Sequence, residues 1–203
     1  MTVNESIILI RFPEAGRAYQ MLSELRQLDA GLSGLDVRSA ALLERRPDGT
    51  LRVPEGGDAS IGAGTATGGL VGMLIGVLGG PLGVLLGFGS GVLVGGAFDI
   101  DRATSVDGTL AFLSREITPG STALIIEAAE TTPVPLDQLA VRFDATVERQ
   151  PTAAVRAEVE AAADAAEVAQ KEANRVLRER KRAEFRAKAD ERVGAVKEKL
   201  HIG

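Results

Sequence analysis

Cysteine and tryptophan are absent from this 203-residue chain, and histidine and tyrosine occur once each. Without thiols there can be no disulfide and no thiolate metal site, which suits a reducing compartment. The lone histidine, His201, lies third from the last residue and is expected to be solvated. No second imidazole or thiol exists to build an ordinary zinc site with it. Aromatic residues make up 3% of the chain, so any core must be built from Leu, Ile, Val and Ala. Lysine is missing from residues 1–150, which hold 11 Arg against 18 acids, and all five lysines fall in the last 53 residues. The opening MTVNESIILIRF has no basic stretch and no small-residue cleavage site, so no signal peptide is expected. No residue set suggests a catalytic centre, a cofactor or a metal. Tyr19 reads as packing or surface, and Asp99 and Asp101 beside Arg102 read as a solvated charged patch.

What the chain does have is one long uncharged segment. Ala59 to Phe98 is 40 residues without a charge, 14 of them glycine. Gly79, Gly80 and Pro81 near its middle would break a helix and form a hairpin turn. Each leg is then about 25–30 Å long as a helix, close to the thickness of a bilayer core. Gly64, Gly68, Gly72, Gly76 and Gly80 recur every four residues on the first leg, and Gly83, Gly87, Gly91 and Gly95 on the second. That spacing makes a small-residue stripe along which two helix backbones can approach closely. Leu70, Met73, Leu74, Val77 and Leu78, with Leu82, Val84, Leu85, Leu86, Leu93 and Val94, are expected to face the medium. Lipid is one such medium. The core of a soluble oligomer is a second, and a flexible loop a third. The glycines oppose a helix in water by about 1 kcal/mol each relative to alanine. No Lys/Arg cluster or Trp/Tyr belt fixes an orientation, but a hairpin leaves both flanks on one side, expected to be cytoplasmic. The run GAGTATG (Gly62, Gly64, Gly68) imitates a dinucleotide-binding turn, yet no strand leads directly into it and no GK[ST] follows.

The sequence on either side reads as two halves of one α+β domain, residues 1–58 and 99–150. SIILIRF has the pattern of a strand buried on both faces. Pro13 suits a helix start, and Ala18, Met21, Leu22, Leu25 and Leu28 keep helical spacing up to Gly31. LDVRSAALLE and TLRV flank RRPDGT, a turn by its Pro47, Asp48 and Gly49. Val106, Leu110, Leu113 and Ile117 mark a second helix, and STALIIEA a further strand. This order predicts a ferredoxin-like βαββαβ sandwich, with residues 59–98 inserted between the third strand and the second helix. STALIIEA would then lie at a sheet edge and is too apolar to lie bare there. ATVERQ or another subunit is expected to cover it.

Residues 151–203 are almost pure Ala, Glu, Arg, Lys and Val, the composition of one long helix. Thr152 is a candidate cap, and a helix to Leu200 would extend about 73 Å. Val155, Val159, Ala162, Ala166, Ala169, Ala173 and Val176 form a heptad seam of small residues. Arg175 to Lys199 holds ten basic residues against five acids. Arg175, Arg178, Lys181, Arg182, Arg186 and Lys188 are candidate contacts for lipid headgroups; a solvated helix with internal ion pairs and packing against identical neighbours are the alternatives. Phe185 is the one aromatic there, which disfavours nucleic acid as a partner.

With its SIILIRF opening, glycine-zipper insert and GSTALIIEA strand, the chain resembles bacterial predicted membrane proteins of domain-of-unknown-function family 1269 over residues 5–150. The resemblance implies a membrane-associated protein and supplies no catalytic residues. The expectation is a non-enzymatic, membrane-associated protein that assembles with itself, its domain and tail on the cytoplasmic side. The alternative is a cytoplasmic ferredoxin-like oligomer, ligand-sensing or stress-related, with the hairpin buried between subunits.

Overall fold

The structure is a computed structural model, and it describes residues 3–29, 34–54, 59–61, 69–79 and 108–200. The elements in chain order are β1 (Asn4–Arg11), α1 (Ala15–Asp29), β2 (Leu35–Arg45), β3 (Leu51–Arg52), β4 (Ser60–Ile61) and α2 (Gly69–Gly79). After these come α3 (Thr109–Glu116), β5 (Thr122–Glu130), α4 (Val134–Arg142), β6 (Thr146–Pro151) and α5 (Thr152–Leu200). The chain divides into two compact units, Met1–Ala163 and Asp164–Gly203.

Among the described residues of the first unit, six strands form one antiparallel sheet in the order β3-β2-β5-β1-β6, with β4 also on β2. β5 pairs with β1 from Asn4↔Glu130 to Arg11↔Ala123, and with β2 from Leu35↔Glu130 to Glu44↔Thr122. All nine of its residues are buried. The expected edge strand is thus the central one. The sequence reading placed a helix before STALIIEA, where α3 lies, but took STALIIEA for the last strand, whereas α4 and β6 follow it. The apolar character that made a bare edge untenable is met by strands on both sides. The segment expected to cover it, ATVERQ, supplies β6 instead, which pairs with β1.

Alternation along the strands splits the apolar residues between two faces. Ile8, Ile10, Leu42, Leu124 and Ile126 meet α1 and α4 through Ala18, Met21, Leu22, Leu25, Leu136, Leu139 and Phe143. Ile7, Leu9, Ala41, Leu43 and Ile125 meet α2, α3 and the start of α5 through Leu70, Leu74, Leu78, Leu110, Leu113, Val155 and Val159. Helices therefore cover the sheet on both sides. That explains why β1 and β5 are runs of apolar residues with little alternation.

Ion pairs tie the layers together. Arg17 pairs with Asp144 and Arg142 with Glu24, joining α1 to the end of α4. Asp144 holds a left-handed backbone (φ 51°) just past that helix, a position where aspartate is among the better-tolerated residues. Arg149 of β6 reaches across β1 to hold Glu130 at 2.8 and 3.1 Å, and also bonds Asp137 of α4 at 2.8 Å. Glu130 is thereby buried with a bidentate partner.

Candidate functional site

The glycine-rich helix is the first surface of interest. In α2 the apolar residues Leu70, Val71, Leu74, Val77 and Leu78 recur at a spacing that keeps one side of the helix apolar. These five are buried in the domain's own core, so the expectation that Leu70, Leu74, Val77 and Leu78 face the medium is overturned. A sheet face rich in Ile, Leu and Ala needed a cover, and this helix is part of it. Among the described residues of that expected set only Met73 faces out, 40% exposed, while Leu82, Val84, Leu85, Leu86, Leu93 and Val94 lie outside the described residues. Gly69 and Gly76 are exposed and Gly72 is half-buried, all on the side opposite the leucines. A methyl group built on Gly76 would meet nothing within 4 Å, so this glycine is not in a close helix–helix contact within the domain. Gly79 differs: its added carbon would lie 3.2 Å from the carbonyl oxygen of Leu51, so here the helix end presses on β3. Gly79 is the last residue of α2, and Gly64, Gly68, Gly80, Pro81, Gly83, Gly87, Gly91 and Gly95 lie outside the described residues. So do Asp99, Asp101, Arg102 and His201. Among the described residues no helix is long and apolar enough to cross a membrane.

The second surface is the terminal helix. Its first three turns belong to the globular unit: Val155, Val159 and Ala162 are buried against the sheet. The proposed self-association seam is therefore half used inside the domain, and sequence reasoning missed this because Val155 and Val159 fit both roles. Glu158 also faces inward. Its two oxygens accept the backbone N–H groups of Thr109 and Leu110 at 2.9 and 2.8 Å, capping α3 where Gly108 offers no side chain. Thr152 does not act as the expected cap, since its buried hydroxyl finds no partner among the described residues.

Beyond Asp164 the helix forms the second unit. Lys171, Asn174, Arg175, Arg178, Glu179 and Arg182 line a shallow hollow along it. Arg175 bonds Glu172 and Glu179, and these carboxylates, Glu172 first, hold its guanidinium proton more tightly than usual. Lys171 pairs with Glu167. Arg178, Lys181 and Arg182 are exposed and make no ion pair with any described side chain. Lys188 is exposed, and the side chain of Arg186 lies outside what is described.

One charged residue went unremarked in the sequence. Arg45, at the end of β2, is only 3% exposed. Its Nη1 donates to the carbonyl of Ser114 at 2.8 Å and its Nη2 to the Ser114 hydroxyl at 3.0 Å, while Nε finds no partner among the described residues. Burial lowers its pKa. The neighbouring Arg46 gives no hint of this, because strand alternation alone decides which of the two points inward.

Among the described residues, no group of three or more His, Asp or Glu side chains is placed to hold a metal ion. No family model matches the chain, nor does any curated protein or solved structure.

Proposed function

We propose that this chain is a non-enzymatic protein that assembles with copies of itself, and that the outward side of α2 takes part in the contact. The observation that carries this reading is the division of α2, with five apolar side chains in the domain's core and Gly69, Gly72, Met73 and Gly76 on the open side. A helix whose leucines already cover a sheet cannot also present them to lipid. Its glycine side, however, still permits close backbone approach by an apolar neighbour. Of the three settings opened by the sequence, a cytoplasmic oligomer with the apolar segment packed in protein is thus the best supported. Membrane association remains the second reading, supported by the 40 uncharged residues.

The finer fold assignment belongs to the same proposal. β1-α1-β2 and β5-α4-β6 form two strand–helix–strand units, and β2-β5-β1-β6 is the strand order of a ferredoxin-like sheet. On this reading the insertion, residues 46–121, joins the second strand to the third, not the third strand to the second helix.

The test is the mass of the full-length protein, measured by light scattering without detergent, beside a Gly72→Leu/Gly76→Leu variant. A discrete oligomer that loses subunits in the variant is expected. A protein that resists carbonate extraction from membranes and needs detergent to dissolve would transfer support to the membrane reading. An oligomer unchanged by both leucines would rule out the α2 contact.

A further inference from the structure

Lys171, Arg175, Arg178 and Arg182 follow one another at steps of four, three and four along α5, which sets them in a single row on one side of the helix. The first two are neutralised locally by Glu167, Glu172 and Glu179. Arg178 and Arg182 make no ion pair with any described side chain, and neither does the adjacent Lys181. Phe185 comes three residues after Arg182 and seven after Arg178, so it continues the row, and it is 75% exposed. Two guanidiniums without a described ion-pair partner thus share one side of the helix with an exposed aromatic ring. The ring gains from leaving water, and the guanidiniums gain from bidentate phosphate contacts.

We propose that the Arg178–Arg182–Phe185 side of the terminal helix docks on an anionic lipid surface, the arginines on headgroup phosphates and the Phe185 ring among the upper acyl chains. This is peripheral contact, in which a helix lies in the interface without crossing it. It is independent of the α2 contact. A single-stranded nucleic acid is the competing polyanion, but it calls for successive aromatic platforms, and this row offers one ring at its end. Each basic group near an anionic surface contributes about fivefold in partition, so losing two should reduce binding about twentyfold or more.

The experiment is co-sedimentation of the full-length protein with vesicles of phosphatidylcholine alone, or with about a quarter phosphatidylglycerol. Binding to the anionic vesicles only, weakening with salt, is expected. Arg178→Gln/Arg182→Gln should lower it about twentyfold or more. Arg178→Lys/Arg182→Lys should keep most of it. Phe185→Ala should lower binding several-fold while leaving the salt dependence unchanged. Circular dichroism on each variant confirms that the helix persists. Equal binding to both vesicle types would overturn the proposal. So would wild-type binding by the glutamine variant, or a single-stranded DNA oligomer held through the same arginines in preference to vesicles.

Discussion

Arg45 is a buried cation at the end of β2. Its charge is withdrawn from water, no described carboxylate offsets it, and only Ser114 answers its donors. Removing half of that answer should be costly. Ser114→Ala is expected to destabilise the fold by about 2 kcal/mol, read as a lower denaturation midpoint, because a hydrogen bond to a buried charged group is lost. Arg45→Met should be neutral or stabilising, since replacing a poorly compensated buried charge with a well-packed apolar group often is. The pH dependence follows from the direction of the shift. A base whose folded pKa is depressed gives stability that rises with pH only above that folded value, which for arginine is far above neutrality. The Ser114→Ala effect should therefore be flat from about pH 5 to 9. Asp48 behaves oppositely. Thr50, through its hydroxyl and then its backbone N–H, lowers the Asp48 pKa, so this turn contact holds above the ordinary carboxylate range and is lost as pH falls through the depressed value.

At the scale of elements, two helices depend on others. α3 has eight residues, too few to persist alone, and Glu158 of α5 supplies the cap its own sequence lacks. Glu158→Ala should lower stability by about 1 kcal/mol and speed amide exchange at Thr109 to Phe112 ahead of the rest of the domain. In α2, Gly76→Ala should raise the stability of the fold by about 0.5–1 kcal/mol, since alanine favours the helix and the added methyl has room. Gly79→Ala should gain nothing, because its methyl must displace the Leu51 carbonyl or shift the helix end. A thermal melt of the two single variants separates open glycine from packed glycine.

At the scale of the molecule, the boundary that matters lies within α5. Val155, Val159 and Ala162 seal one side of the sheet, and their removal exposes the apolar area of two valines and more, about 4–5 kcal/mol at 1.5–3 kcal/mol per large side chain. Truncation after Ala163 should leave the melting temperature nearly unchanged, whereas truncation after Pro151 should lower it by about 10–20 °C or prevent folding. The composition change at Thr152 concealed this, because an alanine-rich helix looks the same whether its first turns are docked or not. Much else was legible. SIILIRF and TALII carry enough β-branched apolar residues to be buried strands anywhere, and the spacing of Ala18, Met21, Leu22 and Leu25 admits only a helix with one buried side. The order of strands was less legible. VPLDQLAVR and TVERQP are short and half polar, so neither announced itself as a separate helix and strand, and TALII was consequently taken for the last strand instead of the middle one. For α2, periodicity located the apolar side correctly but did not say whether lipid, another subunit or the chain's own sheet lay against it. The deciding fact is a second open sheet face, which only the assembled strands reveal.

The pairing of β1 with β5 and β6 also fixes when the protein can fold during synthesis. Ile7, Ile8, Leu9 and Ile10 leave the ribosome well before their strand partners, Glu127, Ile126, Ile125 and Leu124 on one side and Gln150 to Val147 on the other. Until β5 has emerged, the nascent chain displays an isoleucine-rich segment without either of these strand partners, and β6 and the Val155 to Ala162 cover follow later still. Translation speed and chaperone supply, more than any residue at a surface, should therefore govern how much of this polypeptide reaches its native state.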